Sequence, residues 1–355
     1  MTEAMQTQVS TPSPEAIARA AALLREGELV AFPTETVYGL GADALNPGAV
    51  GKIFAAKGRP ADNPLIMHIH EPGQLEGLVT IPEGAMALMA RFCPGPLTIL
   101  MPRTSRVPDI VTAGLDTVAV RMPSHPVARS LLKASGVPIA APSANLSGKP
   151  SPTTAAHVLR DLNGRVPLII DGGPCGVGLE STVLDLCHGA PCILRPGAVT
   201  REMLQDVLGQ VEVADSVLRP LREGEAARSP GMRYRHYAPE GRITLVTGAE
   251  EDVVAALALL CRRAEAQGKR ACVLCFTQHM KALADCHPHD LGHRNRPEET
   301  AVRLFDILRQ LDDEGMDLIY SEALSTDGVG LAVMNRLGRA AAFAAFPALD
   351  ALNSD

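Results

Sequence analysis

Residues 28–41 read Glu-Leu-Val-Ala-Phe-Pro-Thr-Glu-Thr-Val-Tyr-Gly-Leu-Gly, a short apolar run followed by a polar, glycine-rich continuation. The run at 28–32 predicts a buried strand, and apolar residues at helical spacing predict an amphipathic helix over 14–26 before it. Short apolar strands and amphipathic helices alternate to about residue 205, and the alternation resumes at residue 242. This pattern predicts an α/β fold (mixed α+β) in two domains.

The composition favours a globular, cytoplasmic protein. Hydrophobic residues make up 46% of the 355 residues, and no run approaches the roughly 20 apolar residues of a membrane helix. Residues 1–14 are polar and lack the basic and apolar regions of a secretory signal. The net charge of −7 and the 3% aromatic content argue against binding of nucleic acid by bulk positive charge or base stacking.

The charge is divided unevenly along the chain. Up to Gln205 there are 16 basic and 17 acidic residues, whereas the remainder has 17 basic and 23 acidic residues. The acidity therefore belongs mostly to the second half, and a locally positive site in the first half is compatible with the acidic total.

The regular pattern breaks between residues 209 and 240. We predict a first domain at 1–208 with a flexible tail at 1–13, a connector at 209–240, and a small α/β domain at 241–355 with a parallel sheet. Residues 233–237 bring together two arginines, two tyrosines and a histidine. We interpret the connector as a lid over the site, and a linker with solvated charges is the alternative.

Two familiar motifs are weak in this chain. Residues 39–44 fit G-x-G-x-x-A, but the preceding strand ends near Phe32, too early for a dinucleotide-binding turn, so we interpret these glycines as a tight turn. The C-x-x-C pair Cys272 and Cys275 lies in an apolar run, where positions three apart face opposite ways. Buried, reduced thiols are favoured, and a metal site completed by Cys286 and nearby histidines is the alternative.

Four polar segments rich in Gly and Pro have side chains that suit an anionic ligand. They are residues 32–41, 57–65, 141–148 and 176–183, the last followed by Arg195. Lys57 and Arg59 follow a predicted helix, where they either grip a phosphate or complement the helix dipole. Ser143 and Asn145 offer hydroxyl and amide groups to a phosphate or ribose, or form local turns.

Two further polar residues lie inside predicted strands. Arg121 is hard to bury without an anion, which a substrate carboxylate or an internal Asp would supply. His68 and His70 share one face of a strand, so a metal pair is conceivable, but a single histidine lining a pocket is favoured.

Together these segments resemble the YrdC-like family of threonylcarbamoyl-AMP synthases in its long, two-domain form. The K-x-R…S-x-N signature of that family stands here as Lys57, Arg59, Ser143 and Asn145, and residues 229–239 resemble its connector. The resemblance implies a YrdC-like twisted-sheet catalytic domain with a smaller Rossmann-like α/β domain after it.

The resemblance also implies a reaction and its residues. L-Threonine, bicarbonate and ATP, with Mg²⁺, give threonylcarbamoyl-adenylate and pyrophosphate. A downstream transferase then modifies adenosine in tRNA, and direct contact with tRNA is weak or indirect. Lys57 and Arg59 are the implied catalytic residues, and no side chains are implied as metal ligands. The implied ATP-binding residues are Lys57, Arg59, Asn63, Thr117, Ser143, Asn145, Ser151, Arg195, Tyr234 and His236. The implied L-threonine-binding residues are Thr34, Thr36, His68, Arg121, Ala141 and Ser181.

Three other functions are weighed against this one. A carbamoyltransferase of hydrogenase maturation contains a YrdC-like module, but it would bring paired C-x-x-C runs that this sequence lacks. A dihydroxybutanone-phosphate synthase resembles the family in fold but would need an acidic metal-binding loop. A non-catalytic RNA-binding module would use Lys57, Arg59, Arg121 and Arg195 as a local basic patch.

Overall fold

The computed structural model describes residues 5–219 and 237–353. They divide into two compact units, and each is described by itself. The first unit contains residues 5–147 and 151–217, and the second contains residues 148–150, 218–219 and 237–353. The boundaries predicted from the sequence at 208 and 240 stay a prediction. None of the helices in the described residues has the length and apolarity needed to cross a membrane.

The first unit combines short strands with seven α-helices in its described residues. The strands are β1 (Gln8–Ser10), β2 (Val30–Phe32), β3 (Gly39–Asp43), β4 (Ile66–His68), β5 (Leu97–Pro102), β6 (Thr117–Arg121), β7 (Ile139–Ala140), β8 (Leu168–Ile170), β9 (Thr182–Asp185), β10 (Cys192–Arg195) and β11 (Glu212–Val213). The helices are α1 (Pro14–Arg25), α2 (Pro47–Lys57), α3 (Ala85–Phe92), α4 (Asp109–Thr112), α5 (Pro126–Ser135), α6 (Ala155–Leu162) and α7 (Arg201–Leu208). Short 3₁₀ helices cover Pro72–Leu75 and Asp215–Val217.

These strands form one mixed sheet in the order β1-β8-β2-β3-β7-β4-β6-β5-β9-β10-β11. The sheet is covered on both faces, as the fully buried strand β2 illustrates. Val30 and Phe32 pack with α1 and α5 in one apolar cluster, whereas Ala31 points into the larger cluster on the other face. The predicted mixed fold with a large twisted sheet is confirmed.

The N-terminal prediction of a flexible tail at 1–13 is wrong for Gln8–Ser10. These residues form β1, which pairs in parallel with β8 at the edge of the sheet. The Thr7 hydroxyl donates to the Val166 carbonyl at 2.7 Å and accepts from the Gly164 amide at 2.8 Å. Because the residues that pair with this strand lie some 160 positions away in the sequence, no local pattern predicts it.

The prediction of a tight turn at residues 39–44 is also wrong. Gly39–Asp43 form β3, which runs antiparallel to β2 and β7. A Cβ at Gly41 would lie 2.8 Å from the Phe32 ring and 2.9 Å from Ile139 Cγ2. The glycine is therefore needed because neighbouring side chains crowd the strand, and not because the backbone turns.

The second unit is a smaller α/β structure with a wholly parallel sheet in its described residues. The strands are β12 (Arg242–Thr247), β13 (Ala271–Cys275), β14 (Pro288–Asp290), β15 (Leu318–Glu322) and β16 (Ala345–Pro347). The helices are α8 (Glu250–Ala266), α9 (Pro297–Glu314), α10 (Val329–Ala340) and α11 (Ala348–Leu352), with 3₁₀ turns at Thr277–His279 and Ala284–Cys286. The strand order is β14-β13-β15-β12-β16, so the predicted small parallel domain is confirmed.

Candidate active site

The parallel pair β4 and β6 has predicted site residues at both ends. His68 at the end of β4 lies opposite Arg121 at the end of β6, whereas Thr117 begins β6. The five residues of β6 span about 13 Å. The two ends of the pair therefore define two separate groups of side chains. The carboxyl-end group is Thr34, Thr36, His68, Arg121, Ser181 and Arg195. The amino-end group is Lys57, Arg59, Asn63, Thr117, Ser143 and Asn145.

Arg121 is the centre of the carboxyl-end group and is only 4% exposed. Its Nη1 donates to Thr36 Oγ1 at 2.9 Å, and its Nη2 donates to Glu35 Oε1 at 2.6 Å. The Nε–H is buried and has no hydrogen-bond partner among the described residues. One side of the guanidinium is thus held by the protein, and the Nε donor is left for a ligand oxygen.

Glu35 is the internal anion that Arg121 requires. Its Oε2 accepts a 3.1 Å hydrogen bond from the Ser124 amide. Burial alone would raise the pKa of Glu35, but the charge and hydrogen bond of Arg121 outweigh it and lower that pKa. The sequence predicted a substrate carboxylate or an internal Asp as this anion, whereas the structure places Glu35 there.

His68 is neutral in this environment. Its Nδ1 donates to the Ile66 carbonyl at 3.1 Å, and the ring is 3% exposed. Burial, reinforced by the charge of Arg121, lowers the pKa of His68 to about 3. The imidazole therefore adds no positive charge beside Arg121 and can offer its Nε2 lone pair to a ligand donor.

Arg195 and Ser181 lie together in the structure, although the sequence assigned them to different ligands. Arg195 donates from Nε to the Ser181 carbonyl at 3.0 Å and from Nη2 to Ser181 Oγ at 3.1 Å. Ser181 Oγ also lies 2.7 Å from the hydroxyl of Thr98, which pairs with Arg121 across β5 and β6. Arg195 thus belongs to the carboxyl-end group.

Lys57 organises the amino-end group from the last position of α2. Its side chain is buried, and Nζ donates to the carbonyls of Ser143 and Asn145, each at 2.5 Å. The Lys57 carbonyl in turn accepts from the Ser147 amide at 3.0 Å. The two halves of the K-x-R…S-x-N signature are therefore one hydrogen-bonded unit, in which the lysine holds the serine-asparagine loop in shape.

The loop held by Lys57 is also tied to the edge of β3. Ser143 bridges to Gly39, and the Ala144 amide donates to the Tyr38 carbonyl at 2.8 Å. Ser143 Oγ donates to Asn145 Oδ1 at 2.6 Å. Two of the polar segments in the sequence thus become neighbours in the fold.

Three more predicted residues lie around the amino ends of β4 and β6. Arg59 Nη2 donates to the carbonyls of Asn63 and Pro64, both at 3.3 Å. Asn63 is 1% exposed, and its Oδ1 accepts no hydrogen bond from the described residues. Thr117 is buried opposite Pro102 at the start of β6.

The remaining predicted residues have different positions. Ser151 is buried and donates to Glu180 Oε1 at 2.5 Å, so its partner is an acidic residue that was not among the predicted site residues. Ala141 contributes its amide, which donates to the Ile66 carbonyl at 2.9 Å. Tyr234 and His236 lie outside the described residues.

Three partners in the site were missed. Glu35 and Glu180 lie within the polar segments 32–41 and 176–183, so their position was a usable indication. Thr98 lies in the apolar strand β5, and nothing around it in the sequence marks it.

The described residues near these groups include neither a metal cluster nor a reactive thiol. The described residues contain no grouping of three or more His, Cys, Asp or Glu side chains that could hold a metal ion. Burial raises the pKa of Cys93 to about 11 and that of Cys175 to about 12, so both thiols stay protonated at neutral pH. Cys272 and Cys275 are buried in β13.

Comparison with known proteins decides the family. Residues 22–197 match the Sua5–YciO–YrdC family model, described as telomere recombination, and residues 199–342 match the model of the threonylcarbamoyl-AMP synthase C-terminal domain. The threonylcarbamoyl-AMP synthase of Bacillus subtilis is 49% identical over 336 residues, which cover 94% of this chain and 95% of that protein. This chain belongs to the threonylcarbamoyl-AMP synthase family.

Other members of the threonylcarbamoyl-AMP synthase family match over similar lengths. The protein of Pyrococcus abyssi is 48% identical and is covered to 93% of its length, and that of Schizosaccharomyces pombe is 42% identical and is covered to 91%. The crystal structure of P. abyssi Sua5 complexed with L-threonine aligns with a TM-score of 0.89 and 45% identity, covering 96% of this chain and 98% of that one. The long, two-domain form expected from the sequence is thus confirmed.

Proposed function

We propose that this protein is a threonylcarbamoyl-AMP synthase, which converts L-threonine, bicarbonate and ATP into threonylcarbamoyl-adenylate, pyrophosphate and water. The observation that carries the proposal is the 48–49% identity, over more than nine-tenths of both chains, to relatives with that name. The arrangement of the two groups along β4 and β6 supports it, because the reaction joins an amino acid to a nucleotide.

The carboxyl-end group is proposed to hold L-threonine. Arg121 offers its unused Nε–H to the substrate carboxylate while Glu35 and Thr36 hold the rest of the guanidinium. The neutral His68 accepts a hydrogen bond from a donor group of the substrate and adds no charge to the pocket. Thr34, Ala141 and Ser181 complete this pocket in the proposal.

The amino-end group is proposed to hold ATP. Ser143 and Asn145 offer polar side chains on a loop whose carbonyl groups are hydrogen-bonded to Lys57. Arg59 lies two residues after Lys57 in the sequence. The buried Asn63 Oδ1 offers an acceptor for which the described residues supply no donor. Thr117, Ser151, Arg195, Tyr234 and His236 stay assigned to the nucleotide, although Arg195 also contacts Ser181 and so lies where the two substrates would meet.

The chemistry needs positioning and positive charge more than a protein nucleophile. The neutral amine of threonine attacks bicarbonate and gives a carbamate and water, and the carbamate oxygen then attacks the α-phosphorus of ATP and expels pyrophosphate. A buried pocket protects the labile carbamate from water, and arginine side chains stabilise the developing charge. Protonated Cys93 and Cys175 fit a reaction without a thiolate nucleophile.

Mg²⁺ is proposed to arrive with the phosphates of ATP. Since the described side chains include no carboxylate cage for it, the oxygen ligands would come from ATP and water. Such an ion would supply positive charge to the phosphates that leave as pyrophosphate.

We also propose that the product passes to a separate transferase that modifies tRNA, and that the protein works in the cytoplasm. Contact with tRNA is weak or indirect in this proposal. The alternatives are a carbamoyltransferase activity and RNA binding without catalysis, and no contact among the described site residues favours either.

The direct test is incubation with ATP, bicarbonate and isotopically labelled threonine, followed by mass detection of the adenylate. Omission of bicarbonate should abolish the product, and chelation of Mg²⁺ should lower its rate. Transfer of the carbamoyl group of labelled carbamoyl phosphate to the amine of threonine, with release of phosphate and without consumption of ATP, would instead identify a carbamoyltransferase.

The same assay tests the amino-end group. Lys57→Ala and Arg59→Ala should each lose turnover, with circular dichroism like that of the original chain. Lys52→Ala is the matched control, because Lys52 lies in the same helix but is half exposed and pairs with Glu28 at the surface. Undiminished turnover in both site variants would show that Lys57 and Arg59 are not part of the ATP site.

A further inference from the structure

The second unit contains a cavity at the position where parallel α/β sheets bind ligands. The chain leaves β12 toward β13 on one side and leaves β15 toward β16 on the other, so the two connections run in opposite directions along the sheet. Right-handed crossovers then place α8 and α10 on opposite faces, which opens a crevice between the carboxyl ends of β12 and β15. A cavity of about 440 Å³ lies there, lined by residues that follow both strands.

One oxygen of a buried carboxylate in this cavity has no hydrogen-bond donor among the described residues. Glu322 ends β15 and its side chain is 1% exposed. Its Oε1 accepts from the Phe276 amide at 3.1 Å and lies 2.8 Å from His279 Nδ1. Its Oε2 accepts no hydrogen bond from the described residues. A buried carboxylate oxygen in this state calls for an N–H donor, which a ligand would supply.

The opposite charge is at the rim of the same cavity. Arg294 is one-third exposed, and its Nη1 lies 3.7 Å from Glu322 Oε2 and 3.5 Å from Glu250 Oε2, both beyond hydrogen-bond length. The guanidinium is stacked over the Phe276 ring at 5.4 Å, which holds its position. Neither glutamate forms a bidentate hydrogen-bonded pair with Arg294 at these distances, whereas a ligand carboxylate could do so.

The surroundings disfavour a nucleotide phosphate and offer apolar contacts to part of a side chain. Glu250, Glu251 and Asp252 form the first turn of α8, where a phosphate would otherwise bind. The walls combine the apolar Val246, Val253 and Leu324 with the polar Thr247, Asn295 and Ser325, so an aliphatic side chain would find apolar contacts on part of the lining.

We infer that this cavity binds a free α-amino acid with an apolar side chain, whose ammonium group reaches Glu322 and whose carboxylate reaches Arg294. This inference goes beyond threonylcarbamoyl-AMP synthesis, because it concerns a separate site in the second unit and is read out by binding alone. A site of this kind would let the chain respond to the supply of an amino acid.

The test is equilibrium dialysis of the full chain against labelled L-leucine, L-isoleucine, L-valine and L-methionine, with unlabelled L-threonine present to fill the proposed catalytic site. At least one of the four should bind, and binding should weaken at least tenfold in Arg294→Gln and in Glu322→Gln. Arg296→Gln is the matched control, because Arg296 is 70% exposed and pairs with Glu299 outside the cavity.

Two leucine analogues test whether both charges are needed. Isopentylamine lacks the carboxylate and 4-methylpentanoate lacks the amine, so each should bind at least tenfold more weakly than leucine. If Glu322→Gln does not fold, binding to the rim variant Arg294→Gln decides whether the inference holds. No binding by any of the four amino acids, unchanged binding in Arg294→Gln, or equal binding of an analogue would each overturn the inference.

Discussion

The pair formed by Glu35 and Arg121 shows how individual residues prepare this site. The side chains are 13% and 5% exposed and lie 2.6 Å apart, so the guanidinium is desolvated yet neutralised before any substrate arrives. A buried arginine left without its anion is strongly destabilising. Glu35 is therefore a positioning residue: it contacts Arg121, and Arg121 is proposed to contact the substrate.

Substitution of Glu35 should affect threonine more than ATP. In Glu35→Gln the charge partner of Arg121 is lost, and we expect the KM for threonine to rise about tenfold or more, since a hydrogen bond to a charged group contributes about 1.5–3 kcal/mol and about 1.4 kcal/mol is a factor of ten. The KM for ATP should stay nearly unchanged. Steady-state kinetics with each substrate varied in turn measure the split.

Two further variants separate positioning from general destabilisation. Glu35→Asp keeps the carboxylate and should recover part of the threonine affinity, whereas the exposed Glu28→Gln should behave like the original chain. An equal rise in both KM values in Glu35→Gln would contradict the positioning role.

His68 should make the stability of the protein depend on pH on the acid side. Its pKa is about 3 in the folded state, below the ordinary value of 6.5, so the unfolded chain takes up the proton first as the pH falls. Stability is therefore complete above pH 6.5 and is lost as the pH falls toward 3, at up to about 1.4 kcal/mol per pH unit.

Comparison with His68→Gln isolates this effect, because the glutamine amide is not titratable. Urea unfolding at several pH values between 7 and 4 should give curves for the two chains that converge as the pH falls. The lowered pKa of Glu35 also costs stability in acid, but it is common to both chains. Parallel curves would show that His68 is not buried in its neutral form.

At the scale of the elements, the site depends on where short strands end. His68 and Arg121 meet because β4 and β6 are parallel and in register, and Ser143 approaches Gly39 because β3 and β7 are antiparallel neighbours. The glycines of β3 let these strands approach closely. Local sequence predicted a turn there, but the crowding comes from β2 and β7.

Two glycine substitutions should therefore have opposite effects. Gly41→Ala should destabilise the protein by about 1–3 kcal/mol, because the new Cβ would overlap the Phe32 ring and Ile139. Gly51→Ala is the matched control: Gly51 lies inside α2, a Cβ there meets nothing within 4 Å, and alanine should stabilise the helix by up to about 1 kcal/mol.

Chemical denaturation of the two variants checks this prediction. A Gly41→Ala chain as stable as the original would mean that β2 and β7 can move apart at little cost, and the close approach would then not explain the glycine.

At the scale of the whole molecule, charge and size separate small anions from nucleic acid. The net charge of −7 arises mostly after Gln205, and the basic residues of the candidate site are largely buried, as Lys57, Arg121 and Arg195 show. Buried cations can bind a carboxylate or a phosphate that enters the pocket, but they present little charge to a tRNA backbone outside it.

The protein should therefore make its product without tRNA and should retain little tRNA at physiological salt. Gel-shift measurements across a salt series, next to the adenylate assay without RNA, test this expectation. Tight retention that weakens steeply with salt, in a protein that consumes no ATP, would favour the RNA-binding alternative.

The sequence by itself determined the fold class, the two-domain form and the family, because apolar periodicity and contiguous motifs such as Lys57 to Arg59 and Ser143 to Asn145 are local properties of the chain. It also marked Arg121 as a residue that needs an anion. Only the tertiary structure decided that the anion is Glu35, that Lys57 holds the loop of Ser143, and that Gln8–Ser10 form a strand. Each of these depends on strand pairing or hydrogen bonds between residues far apart in the chain, and no periodicity or spacing within one segment encodes such a contact.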